Sequence, residues 1–187
     1  MKSKSLFLLI SAAFSVVLFS GCVERHVNVP KFELYADTIP AFQGTLPVAV
    51  IIPEPTGAEY LVAYADPEAK HTGKVFVELD KMHADARDLI VKELSNHGIE
   101  TSPTAEKQLR FTITSVQWEV WAGGFSLGAY LEFDVETSDG YRAHHKVQDG
   151  SSMDVPRAIG GAVTRAVEKL FQDPAVVKFL QGALSKT

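Results

Sequence analysis

The chain of 187 residues contains a single cysteine and no apolar run long enough to cross a bilayer. One thiol leaves no intramolecular disulfide to form and no multi-thiolate metal site to build. The apolar-to-neutral run Leu6 to Phe19 would make a helix of roughly 21 Å, short of the ~30 Å hydrocarbon core. Positive charge is scarce as well, with 18 Lys and Arg against 23 Asp and Glu and a formal net charge of −5. That balance argues against nucleic acid or an anionic lipid surface as the main partner. Catalytic fingerprints are missing too. The glycine pairs in "AGG" and "IGG" are too short for a phosphate-binding loop, and Ser151 and Ser152 have no G-x-S-x-G setting.

What is present begins at the amino terminus. Lys2 and Lys4 precede the apolar run, and the small pair Ser20 and Gly21 closes it, the order of an export signal. The lone Cys22 follows directly. Phe19-Ser20-Gly21-Cys22 resembles a bacterial lipobox, with Phe19 standing where the pattern favours Leu. The resemblance implies cleavage before Cys22 and diacylglycerol on its sulfur, so that Cys22 is the lipid attachment site. Valine rather than aspartate at position 23 implies sorting to the outer membrane, on its periplasmic face. One fatty chain holds a protein only marginally, whereas two or three hold it stably. Loss of residues 1–21 takes 21 from 187 and leaves 166, and without Lys2 and Lys4 the charge becomes −7. The expected organisation is a signal peptide over 1–21, a tether over 22–46 and one periplasmic domain over 47–187.

Within that domain the apolar periods predict an α+β fold. "VAVII" at Val48 to Ile52 reads as a buried strand, and "EYLVAYAD" with "KVFVEL" as a further strand pair. In the tether, Phe32 to Tyr35 reads as a brief edge strand. Met82, Ala86, Leu89, Ile90 and Leu94 recur at helical spacing, ending at Gly98 in a left-handed cap position. From Gln108 to Gln148 three antiparallel strands are expected. Their first changes apolar phase between Ile113 and Val116, which calls for a bulge near Thr114 and Ser115. A three-residue loop, Ser138-Asp139-Gly140, pairs odd positions with odd across the next hairpin. It sets Glu136 against Arg142, Asp134 against His144 and Glu132 against Lys146, each pair contributing about 0.2 to 1 kcal/mol. A helix from Asp154 through Phe171 and a shorter one after Asp173-Pro174 close the chain. The two glycines Gly160 and Gly161 imply close packing on the sheet. The expected architecture is an antiparallel sheet with two main amphipathic helices on one face, in two layers.

Few side chains stand out as chemistry. His144 and His145 are strand neighbours and point to opposite faces, so they do not chelate one ion together. Glu132, Asp134 and Glu136 share a face with basic residues opposite and read as a solvated, charge-paired surface. His83 lies along one helix side with Asp80 and Arg87, without a nucleophile beside it. No metal, cofactor or catalytic residue is expected. Trp118 follows the buried phase, and Trp121, next to the glycine loop, is the candidate interaction surface.

The order of lipobox, tether, strand, helix ending "ELSNHGIETS", antiparallel meander and terminal "DVPRAIGGAVTRAVEKLFQDPAVVKFL" resembles the YajG family of bacterial envelope lipoproteins. That resemblance supplies no catalytic residues, and the expected function is that of a non-enzymatic module, held in the outer membrane by its lipid, that binds an envelope protein or helps organise an envelope complex. Auxiliary lipoproteins of ABC-type lipid transport systems share a similar outline, and for them a hydrophobic ligand and an apolar groove between helices and sheet are expected. A periplasmic hydrolase would instead need a cleft joining His83, His144 or Asp134 to further polar groups.

Overall fold

Burial along Lys107–Val120 alternates strictly as far as Ile113 and resumes at Val116 in the opposite phase. The cause is a bulge: Ile113 pairs with Phe133 and Ser115 with Glu132, leaving Thr114 unmatched. The extra residue lets one strand keep Leu109, Phe111, Ile113 and Val116 all inside. In this computed structural model the described residues are 24–34, 36–64, 74–120 and 126–182. They form seven strands, β1 (Glu24–His26), β2 (Val48–Ile51), β3 (Glu59–Tyr64), β4 (Lys74–Glu78), β5 (Lys107–Val120), β6 (Leu127–Thr137) and β7 (Arg142–Ser151). Three α-helices accompany them, α1 (Leu79–Asn96), α2 (Val155–Gln172) and α3 (Pro174–Gln181), with a 3-10 turn at Ala36–Thr38.

The fold is α+β, as the periodicity predicts, and the sheet is open. It is mixed rather than purely antiparallel. β5, β6 and β7 form the expected meander, whereas β1 pairs parallel with β4, and both β2 and β3 pair parallel with β5. β2 occupies the beginning of β5 and β3 its end, so one long strand serves two short neighbours on the same edge. Short β-branched runs such as "VAVI" specify burial but not the direction of the partner.

The β6–β7 hairpin has the predicted register, with Glu136 opposite Arg142, Asp134 opposite His144 and Glu132 opposite Lys146. Gly140 supplies the left-handed residue at φ 94°. The corresponding ion pairs measure 3.5, 2.7 and 3.0 Å and lie on the outer, polar face of the sheet.

The helices cover the other face. All five apolar positions expected of α1 are buried. Its end is a Schellman turn: the Ile99 amide donates to Leu94 O and the Gly98 amide to Ser95 O, with Gly98 at φ 74°. Asp154 caps α2 by accepting from the Arg157 amide, and Asp173 caps α3 by accepting from Ala175 and Val176.

The stretch expected to act as a tether lies along the domain over its described residues. β1 extends the sheet at β4, and the Val27 amide donates to Phe76 O. From there the chain enters the groove between α1 and α2, where Val29 is buried and Lys81 Nζ reaches Val29 O at 3.1 Å. Lys31 pairs with Asp88 and Glu33 with Lys92, further along α1. Of the brief strand expected over Phe32 to Tyr35, the described residues Phe32 to Leu34 are not in a strand. Ile39 and Phe42 are buried beyond it, and Gln172 Nε2 holds Thr38 O at 2.9 Å. This strap runs from one end of the sheet to the other before β2 turns back.

The helical glycines are explained by what they face. A Cβ on Gly160 would stand 2.2 Å from Pro30 O and 2.8 Å from the Phe32 ring, so this glycine admits the strap rather than the sheet. Gly161 does face the sheet, at the Asp149 carboxylate on β7. In an isolated helix, glycine to alanine would stabilise by about 1 kcal/mol. Here Gly160→Ala is expected to destabilise by about 1 to 3 kcal/mol through overpacking against backbone. Gly161→Ala meets a side chain that can rotate and costs less. Urea unfolding of the two variants measures this, and a Gly160→Ala protein as stable as wild type would contradict the packing of the strap.

Candidate functional site

Polar side chains gather at three places, each built by a different part of the fold. The first is His83, on the buried side of α1 and 4% exposed. Its Nε2 accepts the Ile113 amide at 2.9 Å, just before the bulge in β5. An acceptor at Nε2 places the ring proton on Nδ1, so the imidazole is neutral. Burial lowers its pKa below the usual 6.5, with the Asp80 carboxylate pulling weakly the other way. Asp80 itself is turned toward a loop, accepting from the Thr56 and Gly57 amides, and those bonds hold its pKa below the ordinary value.

The second is a knot around Asp173, which is 6% exposed. Its Oδ1 caps α3, while Oδ2 accepts from Tyr141 Oη at 2.6 Å and from His145 Nε2 at 3.0 Å. Burial pushes the carboxyl pKa up, but the hydrogen bonds from Tyr141, the two capping amides and His145 together bring it below the usual value. The bond to Asp173 pushes Tyr141 up to about 12. His145 also lies against Phe133, at 5.2 Å between ring centres. The knot ties the strand after the hairpin turn to the corner between α2 and α3. The sequence marked Asp173 only, together with Pro174, as the start of the last helix; its long-range partners Tyr141 and His145 had no local signal.

The third is the far end of the molecule. Lys107, 2% exposed, donates to Leu180 O at 3.0 Å and Gly182 O at 2.8 Å, satisfying carbonyls at the end of α3. Burial lowers its pKa, with Asp139 acting in the opposite sense. Nearby, Glu93 accepts from Asn96 Nδ2 and meets His97 Nε2, both at 3.0 Å, while His97 Nδ1 faces Phe42 O at 2.8 Å. An open cleft of about 850 Å³ lies alongside, bounded by Ala41 to Thr45, Ser95 to Gly98 and Gln181.

These three places do not converge. His83 is beneath α1, whereas His144 and Asp134 pair with each other on the opposite face of the sheet, so the sheet itself separates them. His144 and His145 point to opposite faces, as strand geometry requires. Among the described residues no three metal-ligating side chains stand together. Trp118 is half-buried, its ring edge-on to Tyr64 at 4.8 Å. Cys22 and Trp121, the two residues singled out from the sequence, lie outside the described residues.

No family model and no curated protein matches the chain. Solved structures do. Protein XCC0632 from Xanthomonas campestris, of the family model DUF330, is 15% identical over 84% of this chain and 94% of its own, with a TM-score of 0.47. An uncharacterized protein is 13% identical over 78% of this chain and 97% of its own, with a TM-score of 0.43.

Two measurements follow from the buried groups. The unfolded chain protonates His83 more readily than the folded one, so its contribution is intact above pH about 6.5 and is lost as pH falls through the lower folded value. His83→Ala leaves the Ile113 amide unpaired, costs about 1 to 3 kcal/mol at neutral pH, and flattens the acid limb of a stability–pH curve. An unchanged acid limb would contradict that role. In an alkaline absorbance titration one tyrosine should ionise near pH 12, and Asp173→Asn should bring it back toward 10. A late tyrosine that persists in the variant would remove Asp173 as its cause.

Proposed function

We propose that the protein is a lipid-anchored lipoprotein of the bacterial cell envelope, facing the periplasm from the outer membrane. Its α+β domain is a non-enzymatic binding or accessory module for an envelope protein, in the manner of the YajG-like lipoproteins it resembles. The observation that carries this reading is the lone Cys22, placed directly behind a positive, apolar and small-residue sequence. In an oxidising compartment a thiol without a partner is a liability, and acylation removes it.

The polar groups support the same reading. His83, His145, Asp173 and Lys107 each spend their hydrogen bonds on backbone or on one another, which is what structural residues do. A hydrolase would need an acid, a base and a nucleophile to converge. A lipid-handling chamber would need apolar space, and the gap lined by Val29, Phe32, Met82 and Val163, between the strap and the two helices, holds about 10 Å³. That is close to the room one water requires.

Intact mass of the mature wild-type protein should show an amino-terminal Cys22 carrying acyl chains, with the protein in the membrane fraction. Cys22→Ala should give an uncleaved precursor or a soluble chain, with no acyl mass. An acylated, membrane-retained Cys22→Ala protein would overturn the anchor.

A further inference from the structure

We propose that the free edge of β7, over Arg142 to Gln148, accepts an extended strand from an envelope protein, one whose residues alternate acidic with apolar. This rests on the binding module proposed above and gives it a surface and a partner chemistry.

The sheet ends at β7: among the described residues no strand pairs with its outer side. Which backbone groups are open follows from the ladder. The Thr137 amide donates to Tyr141 O at the hairpin turn, so the odd residues of β7 exchange hydrogen bonds with β6. The amides and carbonyls of Arg142, His144, Lys146 and Gln148 therefore point outward. Long edges are commonly blunted by proline, by a bulge or by a charge turned inward. Over Arg142 to Gln148 there is neither proline nor bulge. Such protection begins just past this stretch, where the Asp149 carboxylate takes the Gly150 amide at 2.8 Å. Helix α3 runs away from the edge, from Asp173 beside Tyr141 to Gly182 beside Lys107 on β5.

Charge gives the partner its pattern. Across the outer face the sign alternates from strand to strand, from Arg110 on β5 to Glu136 on β6 to Arg142 on β7, with gaps of 3.9 and 3.5 Å. Asp134 and Glu132 likewise face His144 at 2.7 Å and Lys146 at 3.0 Å. The sheet thus ends on a basic row, with the Arg142 side chain 77% exposed, and acidic residues on the next strand would continue the alternation. A second copy paired through this edge would set one basic row against another, which is unfavourable. On the inner face Ala143, His145 and Val147 are half-buried, whereas Ala129, Leu131, Phe133 and Val135 of β6, flanked on both sides, are fully buried. Apolar residues at alternate positions of an added strand would complete that cover.

The test uses the full-length acylated lipoprotein in detergent and a dye-labelled peptide of sequence AYLEFDVETS, that of Ala129 to Ser138, which carries the alternation. Anisotropy should rise with protein concentration, and added salt should weaken binding. A peptide with Gln, Asn and Gln in place of its three acids should bind about tenfold more weakly. His144→Pro removes an outward amide and no β6–β7 bond, whereas His144→Ala keeps that amide, so binding should be about tenfold weaker in the first than in the second. N-methylation of the amides of the acidic residues blocks the same contacts from the peptide's side, and binding should be lost even where the proline variant does not fold. Binding that survives either block, as when the peptide displaces β6, overturns the proposal. So does equal binding of acidic and amide peptides, or no binding at all. A wild-type dimer that His144→Pro dissolves also overturns it, because a second copy is then the occupant. Intact mass of the same preparation separates the edge from the anchor: an acylated chain that binds no peptide loses the edge alone, and a chain without acyl groups that binds it loses the anchor alone.

Discussion

Phe42 sits between two rings, stacked on His97 at 3.8 Å and on Phe171 at 5.8 Å. With that contact the amino-terminal strap is fastened to the end of α1 and to the end of α2 at once. Val29 and Ile39 fill the line that leads to it, and Gly160 leaves the space in which Pro30 and Phe32 cross the helix. The helix layer is therefore completed by residues that precede the first central strand. Removing them would expose apolar faces of both helices to water.

The second constraint is β5. One strand that carries β6 on one edge and both β2 and β3 on the other must satisfy two packing phases, and the Thr114 bulge reconciles them. His83 supports the backbone at that point from the helix side. The buried polar groups elsewhere act similarly. Asp173 and Lys107 finish helix ends that would otherwise leave amides or carbonyls unpaired, which is why their chemistry is consumed by the fold.

Much of this architecture was legible in the sequence, and the reasons are local. Parity of apolar residues and a Ser-Asp-Gly loop determine the β6–β7 register, the phase change in β5 announces a bulge, and caps with helical spacing locate α1, α2 and α3. The strap was not legible because Val29, Ile39 and Phe42 follow no period and are broken by Pro30 and Pro40. Their partners are glycines and helix grooves far along the chain. The parallel pairings of β1, β2 and β3 and the meeting of Tyr141 with Asp173 were hidden for the same reason: neither end of the contact marks the other. Of the candidate site, Cys22 is read from the order of the residues around it, while Trp121 rests on an aromatic beside a glycine loop.

A strap built into the core would turn the lipid anchor proposed at Cys22 from a leash into a fixed mount, because β1 begins two residues after it in the sequence. That consequence stands or falls with Phe42. The most direct measurement is the unfolding free energy of Phe42→Ala by chemical denaturation. Loss of a buried, doubly stacked ring should cost about 3 to 5 kcal/mol. A variant with wild-type stability would mean that the amino-terminal segment is a free tether after all.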